Sequence, residues 1–339
     1  MTSVSARPLG VAVAGLGVGE QHARAYTGSA RCRLRTLFDL DRRRAETLAA
    51  ELGGVSVASS FAEVVCDPTI DVVSIASYDD AHFEQAVAAL GARKHVFVEK
   101  PLCRSFQELR QIQAAWRASG GLHLATNLVL RGAPLYQWLR DAIRDGELGE
   151  VYAFDGDYLY GRLEKITDGW RRDVDDYSVV QGGAVHLVDL MLWTTGQRPS
   201  TVSATGNRIA SRGTAFRYDD YVSAVYRFDS GAIGRITANF GCVHPHQHVV
   251  RVFGTRGTFI HDDRGPRLHR SRTGGAAAVP LDLSPEPGSK GDLIPLFVEA
   301  ILARCDASAG AQREFDTMAA CLAADEALRS GGAIEVAYH

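Results

Sequence analysis

The chain has 339 residues, enough for two domains, and its 46% hydrophobic and 23% charged content excludes disorder. With 37 basic and 40 acidic residues, the net charge of -3 gives no strong field for nucleic acid or an anionic membrane. No apolar run approaches the ~18 residues of a membrane span, and the opening MTSVSARPLG is unlike an export signal, so the expected location is the cytoplasm.

Leu9–Ala14 reads as a buried strand that runs straight into a glycine-rich turn and a helix. Residues 33–38 form a second expected strand, and residues 41–52 a helix with Ala45, Leu48, Ala49 and Leu52 on one face. Strands at 71–76, 96–98 and 122–126 alternate with helices marked by Phe83, Ala86, Val87 and Leu90, then by Phe106, Leu109, Ile112 and Trp116. This rhythm predicts an α/β fold, a doubly wound parallel sheet with helices on both faces. After about residue 146 the pattern changes. Residues 151–160 alternate, with Tyr152, Phe154, Tyr158 and Tyr160 on one side, and further strands are expected at 201–209, 221–228, 232–238, 248–253 and 258–261. Helices are expected at 183–193, 292–305 and 311–329, and a surface loop at 273–291. The second half therefore reads as an α+β domain whose sheet has too few helices to cover it, and an open apolar sheet face usually finds a partner. The six cysteines (Cys32, Cys66, Cys103, Cys242, Cys305 and Cys321) form no CxxC pair, so reduced, mostly buried thiols are expected rather than disulfides or a zinc site.

The turn after the first strand reads Gly15-Leu-Gly17-Val18-Gly19. Gly15 permits a tight turn, Gly17 lets the backbone approach a pyrophosphate, and the next helix aims its first amides at negative charge. The third glycine falls one residue early for G-x-G-x-x-G. Asp39 ends the second strand about where an adenosine ribose would lie, and its carboxylate accepts from 2′- and 3′-hydroxyls while repelling a 2′-phosphate. That favours NAD over NADP. Two alternatives stay open: Asp39 caps the helix beginning near Asp41, or Arg42, Arg43 and Arg44 admit NADP.

The stretch His95-Val-Phe-Val-Glu99-Lys100-Pro101 puts a lysine at the carboxyl end of a parallel strand, where doubly wound sheets bind ligands. Pro101 denies Lys100 a helical backbone. Together with the glycine turn, residues 73–76, 146–150, 169–171, 182–189 and 253–258, this triplet resembles the Gfo/Idh/MocA family of glucose–fructose oxidoreductase, inositol dehydrogenase and the rhizopine-catabolism oxidoreductases. The resemblance implies a Rossmann domain over 1–126 and, over 127–339, an α+β substrate domain with a large open, mostly antiparallel sheet. It also implies a homodimer or homotetramer formed through that sheet, and hydride transfer between a nicotinamide and a sugar, cyclitol or related alcohol.

The resemblance makes Lys100 the group beside the nicotinamide and the reacting oxygen, where an ammonium stabilises a developing alkoxide. His186, in Gly182-Gly-Ala-Val-His-Leu-Val-Asp189, matches the family's acid–base histidine. The two groups are expected to converge on one pocket. Asp189, three residues on, shares a helix face with His186 and is expected to orient the imidazole or hold a substrate hydroxyl. Relatives carry an aspartate at the position of Gly182; Asp173, Asp175 or Asp176 is a candidate substitute, and Tyr177 a further donor. Arg171 is a candidate substrate ligand. Trp170, Val18, Ala76, Ser77, His82, Glu99 and Asn127 join the expected cofactor site. His244-Pro-His246-Gln-His248 has metal-ligand spacing, but a substrate-pocket or plain loop role is preferred and no metal is expected. The rival functions are a sugar-cleaving or epimerising enzyme that uses NAD without net redox change, and a non-enzymatic dinucleotide-sensing regulator.

Overall fold

A computed structural model describes residues 7–338. They form two compact units, one made of the chain up to Val129 with Gly288–Phe315, the other of Leu130–Pro287 and the chain from Asp316.

The first unit begins with β1 (Leu9–Ala14), α1 (Gly19–Thr27), β2 (Cys32–Phe38), α2 (Arg42–Glu51), β3 (Ser56–Val57) and α3 (Phe61–Cys66). It continues with β4 (Val72–Ile75), α4 (His82–Gly91), β5 (His95–Val98), α5 (Phe106–Ala118) and β6 (Leu124–Thr126). The six strands are all parallel in the order β3-β2-β1-β4-β5-β6. This is the Rossmann order, with its switch point between β1 and β4. Local chemistry starts the helices. Ser60 and Ser105 accept from the amides of Glu63 and Glu108, whose carboxylates reach back to the amides of Ser59 and Arg104. These are two capping boxes, and each satisfies amides that a helix start leaves without partners.

The second unit holds α6 (Pro134–Arg144), β7 (Val151–Leu159), α7 (Glu164–Thr167), a 3₁₀ turn at Trp170–Asp173, a π-turn at Val180–Ala184 and α8 (Val185–Thr195). Then come β8 (Pro199–Asn207), β9 (Tyr221–Phe228), β10 (Ile233–Asn239), β11 (Gln247–Gly254), β12 (Thr258–Asp262), β13 (Gly265–His269) and β14 (Val279–Pro280). The chain ends with α9 (Ile294–Leu302), α10 (Ser308–Ser330) and β15 (Ile334–Glu335). Nine strands run in the order β14-β13-β12-β11-β7-β10-β9-β8-β15, antiparallel except for β7 with β10. The buried α8 lies against β7 and β10. The opposite face carries Asp155 and Asp157 of β7 between Arg235 and Arg251, with ion pairs of 2.7–3.3 Å.

The sequence pattern missed α6, which opens on Pro134 and buries Leu135, Tyr136, Leu139 and Ala142 at helical spacing. A division into 1–126 and 127–339 also misses the return of α9, whose Ile294, Phe297, Val298 and Ile301 join Val11, Val13, Leu16, Tyr26 and Phe97 in the first unit's core. Each such side chain contributes about 1.5–3 kcal/mol by leaving water. Tyr152 is 52% exposed at the start of β7, against Phe253, although Phe154 and Tyr158 of the same alternation are buried. All six cysteines are free, but only Cys103 and Cys321 are buried; Cys66 and Cys305 are exposed. Among the described residues no helix is long and apolar enough to cross a membrane.

Candidate active site

In the first unit, β1 delivers the chain to Gly15, whose φ of +80° and lack of a side chain are both required. A Cβ there would stand 2.4 Å from the backbone of Ala76 and Ser77 at the end of β4. Gly19 is also pressed by the sheet, since its Cβ would meet Ala76 Cβ and Val13 Cγ1 at 3.1 Å. The third glycine, one residue early in the motif, thus still serves close helix–sheet packing. Gly17 differs: a Cβ there would meet nothing within 4 Å among the described residues. Val18, 38% exposed, sits at the N-cap of α1, and among the described residues no side chain caps that helix, so its first amides are available to an anion.

Asp39, its side chain 10% exposed, accepts from the amide of Leu16 at 2.6 Å and from that of Asp41 at 2.8 Å, with Arg44 at 3.9 Å. The cap of α2 is Asp41, which accepts from the amides of Arg43 and Arg44; Asp39 is not the cap. Ala76 bonds back to Ala14 at 2.7 Å, and Ser77 Oγ donates to Gln85 at 2.6 Å. His82 is buried, with its ring nitrogens 2.7 Å from the Pro101 carbonyl and 3.1 Å from that of Ser77. It ties the end of β4 to the Lys100–Pro101 peptide, which is cis.

Lys100 follows β5 and is half-buried. Glu99 beside it accepts from Asn127 Nδ2 at 2.7 Å and lies 3.3 Å from His22 Nε2. Burial pushes the Glu99 carboxyl up, but the hydrogen bond and charge of His22, the Lys100 ammonium and Asn127 together bring it down to about 2. Asn127 also donates to the Lys290 carbonyl at 2.8 Å, while its buried Oδ1 has no hydrogen-bond partner among the described residues. An orphaned acceptor, an uncapped helix start and open space at Gly17 fit a dinucleotide lying along the carboxyl edge of this sheet. His22, invisible as a site residue in the sequence, is the hub of this network: its Nδ1 is 3.0 Å from Ser74 Oγ.

In the second unit, the π-turn Val180–Ala184 passes into α8 and carries His186, 6% exposed. Its ring lies edge-on to His248, with centroids 5.9 Å apart. His248 in turn packs on His246 at 4.8 Å and Tyr158 at 5.3 Å, and Tyr160 stacks with Tyr158 at 5.7 Å and 15°. His248 is 5% exposed; its Nε2 has no hydrogen-bond partner among the described residues, and its Nδ1 is 3.7 Å from Glu286. The sequence spacing of His244, His246 and His248 thus marks part of the His186 cluster. His244 leaves that cluster for Asp263 at 3.2 Å. No group of three metal-binding side chains occurs among the described residues.

Gly182 and Gly183 make room for two aromatic rings. A Cβ at Gly182 would stand 2.2 Å from Tyr177 Oη, and one at Gly183 would stand 2.4 Å from Tyr158 Cε1. The Tyr177 hydroxyl therefore fills the place a side chain at 182 would take. Asp173 and Asp175 are exposed and paired with Arg172 at 2.9 Å and Arg217 at 3.0 Å, and Asp176 is exposed. Asp189, 1% exposed, accepts from Arg131 at 3.0 and 2.5 Å and from Thr317 at 3.2 Å, so its carboxylate anchors α8. Arg171 lies over the Trp170 ring at 4.5 Å, both half-buried.

Residues 9–126 match the model described as "Oxidoreductase family, NAD-binding Rossmann fold", and residues 136–260 match the "GFO/IDH/MocA C-terminal domain". The chain is 30% identical to 1,5-anhydro-D-fructose reductase of Ensifer adhaerens over 67% of its own length and 65% of the relative's. It is 27% identical to myo-inositol 2-dehydrogenase of Thermotoga maritima over 75% of each. A solved levoglucosan dehydrogenase complex with NADH has a TM-score of 0.84 at 21% identity, covering 98% of this chain and 100% of that one. Scyllo-inositol dehydrogenase of Lactobacillus casei, with NAD(H) and scyllo-inositol, has a TM-score of 0.79 at 18% identity, covering 97% and 99%. At these identities the solved structures establish the fold.

Proposed function

The chain belongs to the Gfo/Idh/MocA oxidoreductases and its first unit is an NAD-binding Rossmann domain; from that premise we propose an enzyme that moves a hydride between the nicotinamide and a secondary alcohol or ketone of a sugar, cyclitol or sugar derivative. NAD, when bound, supplies the hydride acceptor or donor. In this reading Gly15, Gly17, Gly19, Asp39 and Asn127 hold it. The chain's own chemistry is proton and charge handling. The Lys100 ammonium steadies negative charge on the substrate oxygen, and the His186 imidazole takes the hydroxyl proton as the carbon is oxidised. The single observation that carries this reading is the carboxyl edge of the first unit's sheet, where Lys100 follows β5 beside a Glu99 carboxylate already satisfied by His22 and Asn127.

On the second unit, the rings of Tyr158 and Tyr160 offer flat apolar surface and the imidazoles of His186, His246 and His248 offer donors and acceptors, a combination suited to a polyhydroxylated ring. We also propose that the chain forms a homodimer or homotetramer through the open face of its nine-stranded sheet, and that it works in the cytoplasm.

The test is an NAD⁺ reduction screen over sugars, cyclitols and their derivatives, with Lys100→Ala and His186→Asn alongside. Wild type is expected to release one NADH per alcohol oxidised. Lys100→Ala is expected to lose at least about 10³-fold in kcat while its NAD⁺ affinity stays within a few-fold. Normal turnover in Lys100→Ala overturns the assignment. Product without accumulated NADH points instead to a cleaving or epimerising enzyme.

A further inference from the structure

The turn that delivers His186 is gripped by a carboxylate that the proposed reaction does not use. Asp325, buried on α10, accepts from Ser178 Oγ at 2.7 Å through one oxygen and from Gln181 Nε2 at 2.7 Å through the other. Ser178 Oγ in turn accepts from the amides of Val180 and Gln181 at 3.1 and 3.2 Å. By accepting the Ser178 hydroxyl's hydrogen bond, Asp325 leaves the serine lone pairs aimed at the first amides of the π-turn, which have no partner within the turn itself. The neighbouring Tyr177 lays its hydroxyl against Gly182, so the whole 177–182 segment is locked.

The register of this turn decides where His186 points. A π-turn holds one residue more than the α-turn it replaces, and at 3.6 residues per turn each residue is worth about 100° of rotation. Relaxing residues 180–184 into ordinary helix would swing every later side chain of α8 by about that angle and take the His186 ring out of its contact with His248. Resting on the reading of His186 as the acid–base group, we propose that Asp325 is a positioning residue for the reaction: through Ser178 and Gln181 it holds the π-turn in the register that aims the imidazole.

The grip depends on charge. Burial raises the Asp325 carboxyl to about 6 against the hydrogen bonds of Ser178 and Gln181 and the charge of Arg329, one turn on in the same helix. Tyr226, from β9, also faces it and stays neutral across this range. Once protonated, the carboxyl has a hydrogen to donate, and donating it to Ser178 reverses that bond and competes with the two amides. The cap therefore loosens as pH falls through about 6.

The experiment compares wild type, Asp325→Ala and Asp325→Asn on a polyol that wild type oxidises. It records kcat and KM from pH 5 to 9, NAD⁺ affinity, thermal melting, and the ring NMR signal of His186 assigned by difference with His186→Asn. Asp325→Ala is expected to lose roughly 10–100-fold in kcat, with KM and NAD⁺ affinity nearly unchanged and the His186 signal shifted. Asp325→Asn, which can still bond both partners, is expected to keep most of kcat near pH 8 and to lack one of the wild-type ionisations near pH 6. A folded Asp325→Ala with wild-type kcat, pH profile and His186 signal overturns the proposal. If that variant does not fold, Ser178→Ala removes the same cap from the other side and carries the same two outcomes. If wild type oxidises no polyol, the enzymatic reading fails, while the His186 signal still decides whether Asp325 controls that ring.

Discussion

Two glycines two residues apart in the turn after β1 do different work, and substitution separates them. At Gly15 the positive φ and the backbone of Ala76 and Ser77 at 2.4 Å leave no room for a Cβ, so Gly15→Ala is expected to cost about 2 kcal/mol or more of stability. At Gly17 none of the described residues comes within 4 Å of an added Cβ. Gly17→Ala should melt within about 0.5 kcal/mol of wild type yet bind NAD⁺ at least about tenfold more weakly, because the new methyl enters the space proposed for the pyrophosphate. Paired melting curves and NAD⁺ titrations check both, and an unchanged affinity in Gly17→Ala would show that the pyrophosphate does not pass this loop. The sequence could not distinguish these residues: both are glycines in a motif, and only the neighbour brought in by β4, some 60 residues later, tells them apart. Gly182 is the same lesson reversed. It read as a missing acid, whereas the hydroxyl of Tyr177 occupies its side-chain space.

At the scale of elements, what was legible is what short stretches decide. The apolar runs of β1, β4 and β5, the one-sided apolar faces of α2 and α5, and the alternation in β7 are all settled within a few residues by the period of burial. The π-turn was not legible, since the Ser178 cap and the Asp325 that steadies it are 147 residues apart. The junction of β5 and β6 shows another such pairing. His95 opens β5, and its Nδ1 accepts the amide of His123, just before β6, at 3.0 Å, with the rings 5.5 Å apart. Burial, then the charge of His123, lowers His95 from 6.5 to about 4, and burial lowers His123 as well. The fold thus favours neutral rings, while the unfolded chain binds protons first as pH falls. The stability this pair contributes is complete above about pH 6.5 and is lost as pH drops toward 4. His95→Asn keeps an acceptor for the His123 amide but cannot titrate. Its deficit against wild type in urea unfolding should shrink by about 2 kcal/mol between pH 7 and pH 4.5. A deficit independent of pH would mean that His95 titrates alike in the folded and unfolded chain.

For the whole molecule, the sequence announced an uncovered sheet without saying what covers it. One face of the nine strands packs on α8; the other presents the Asp155, Asp157, Arg235 and Arg251 network with Val225 and Ile233, which are 38% and 41% exposed. Charges paired among themselves in this way can be covered without being left unpaired, so the face tolerates burial that lone charges would resist. Apolar side chains set among them supply a reason to associate. If two copies meet here about a two-fold axis, each substitution enters the interface twice. Val225 lies opposite Arg235 in the β9–β10 pairing, so Val225→Lys would put an unpaired cation beside an existing one on both copies. In light scattering after gel filtration, wild type should have a mass that is an even multiple of 36.6 kDa. Val225→Lys should shift toward the single chain with its circular dichroism unchanged. A wild-type mass of one chain, or a Val225→Lys variant that stays assembled, would mean that this face meets water instead, with the four charges serving to keep its strands soluble.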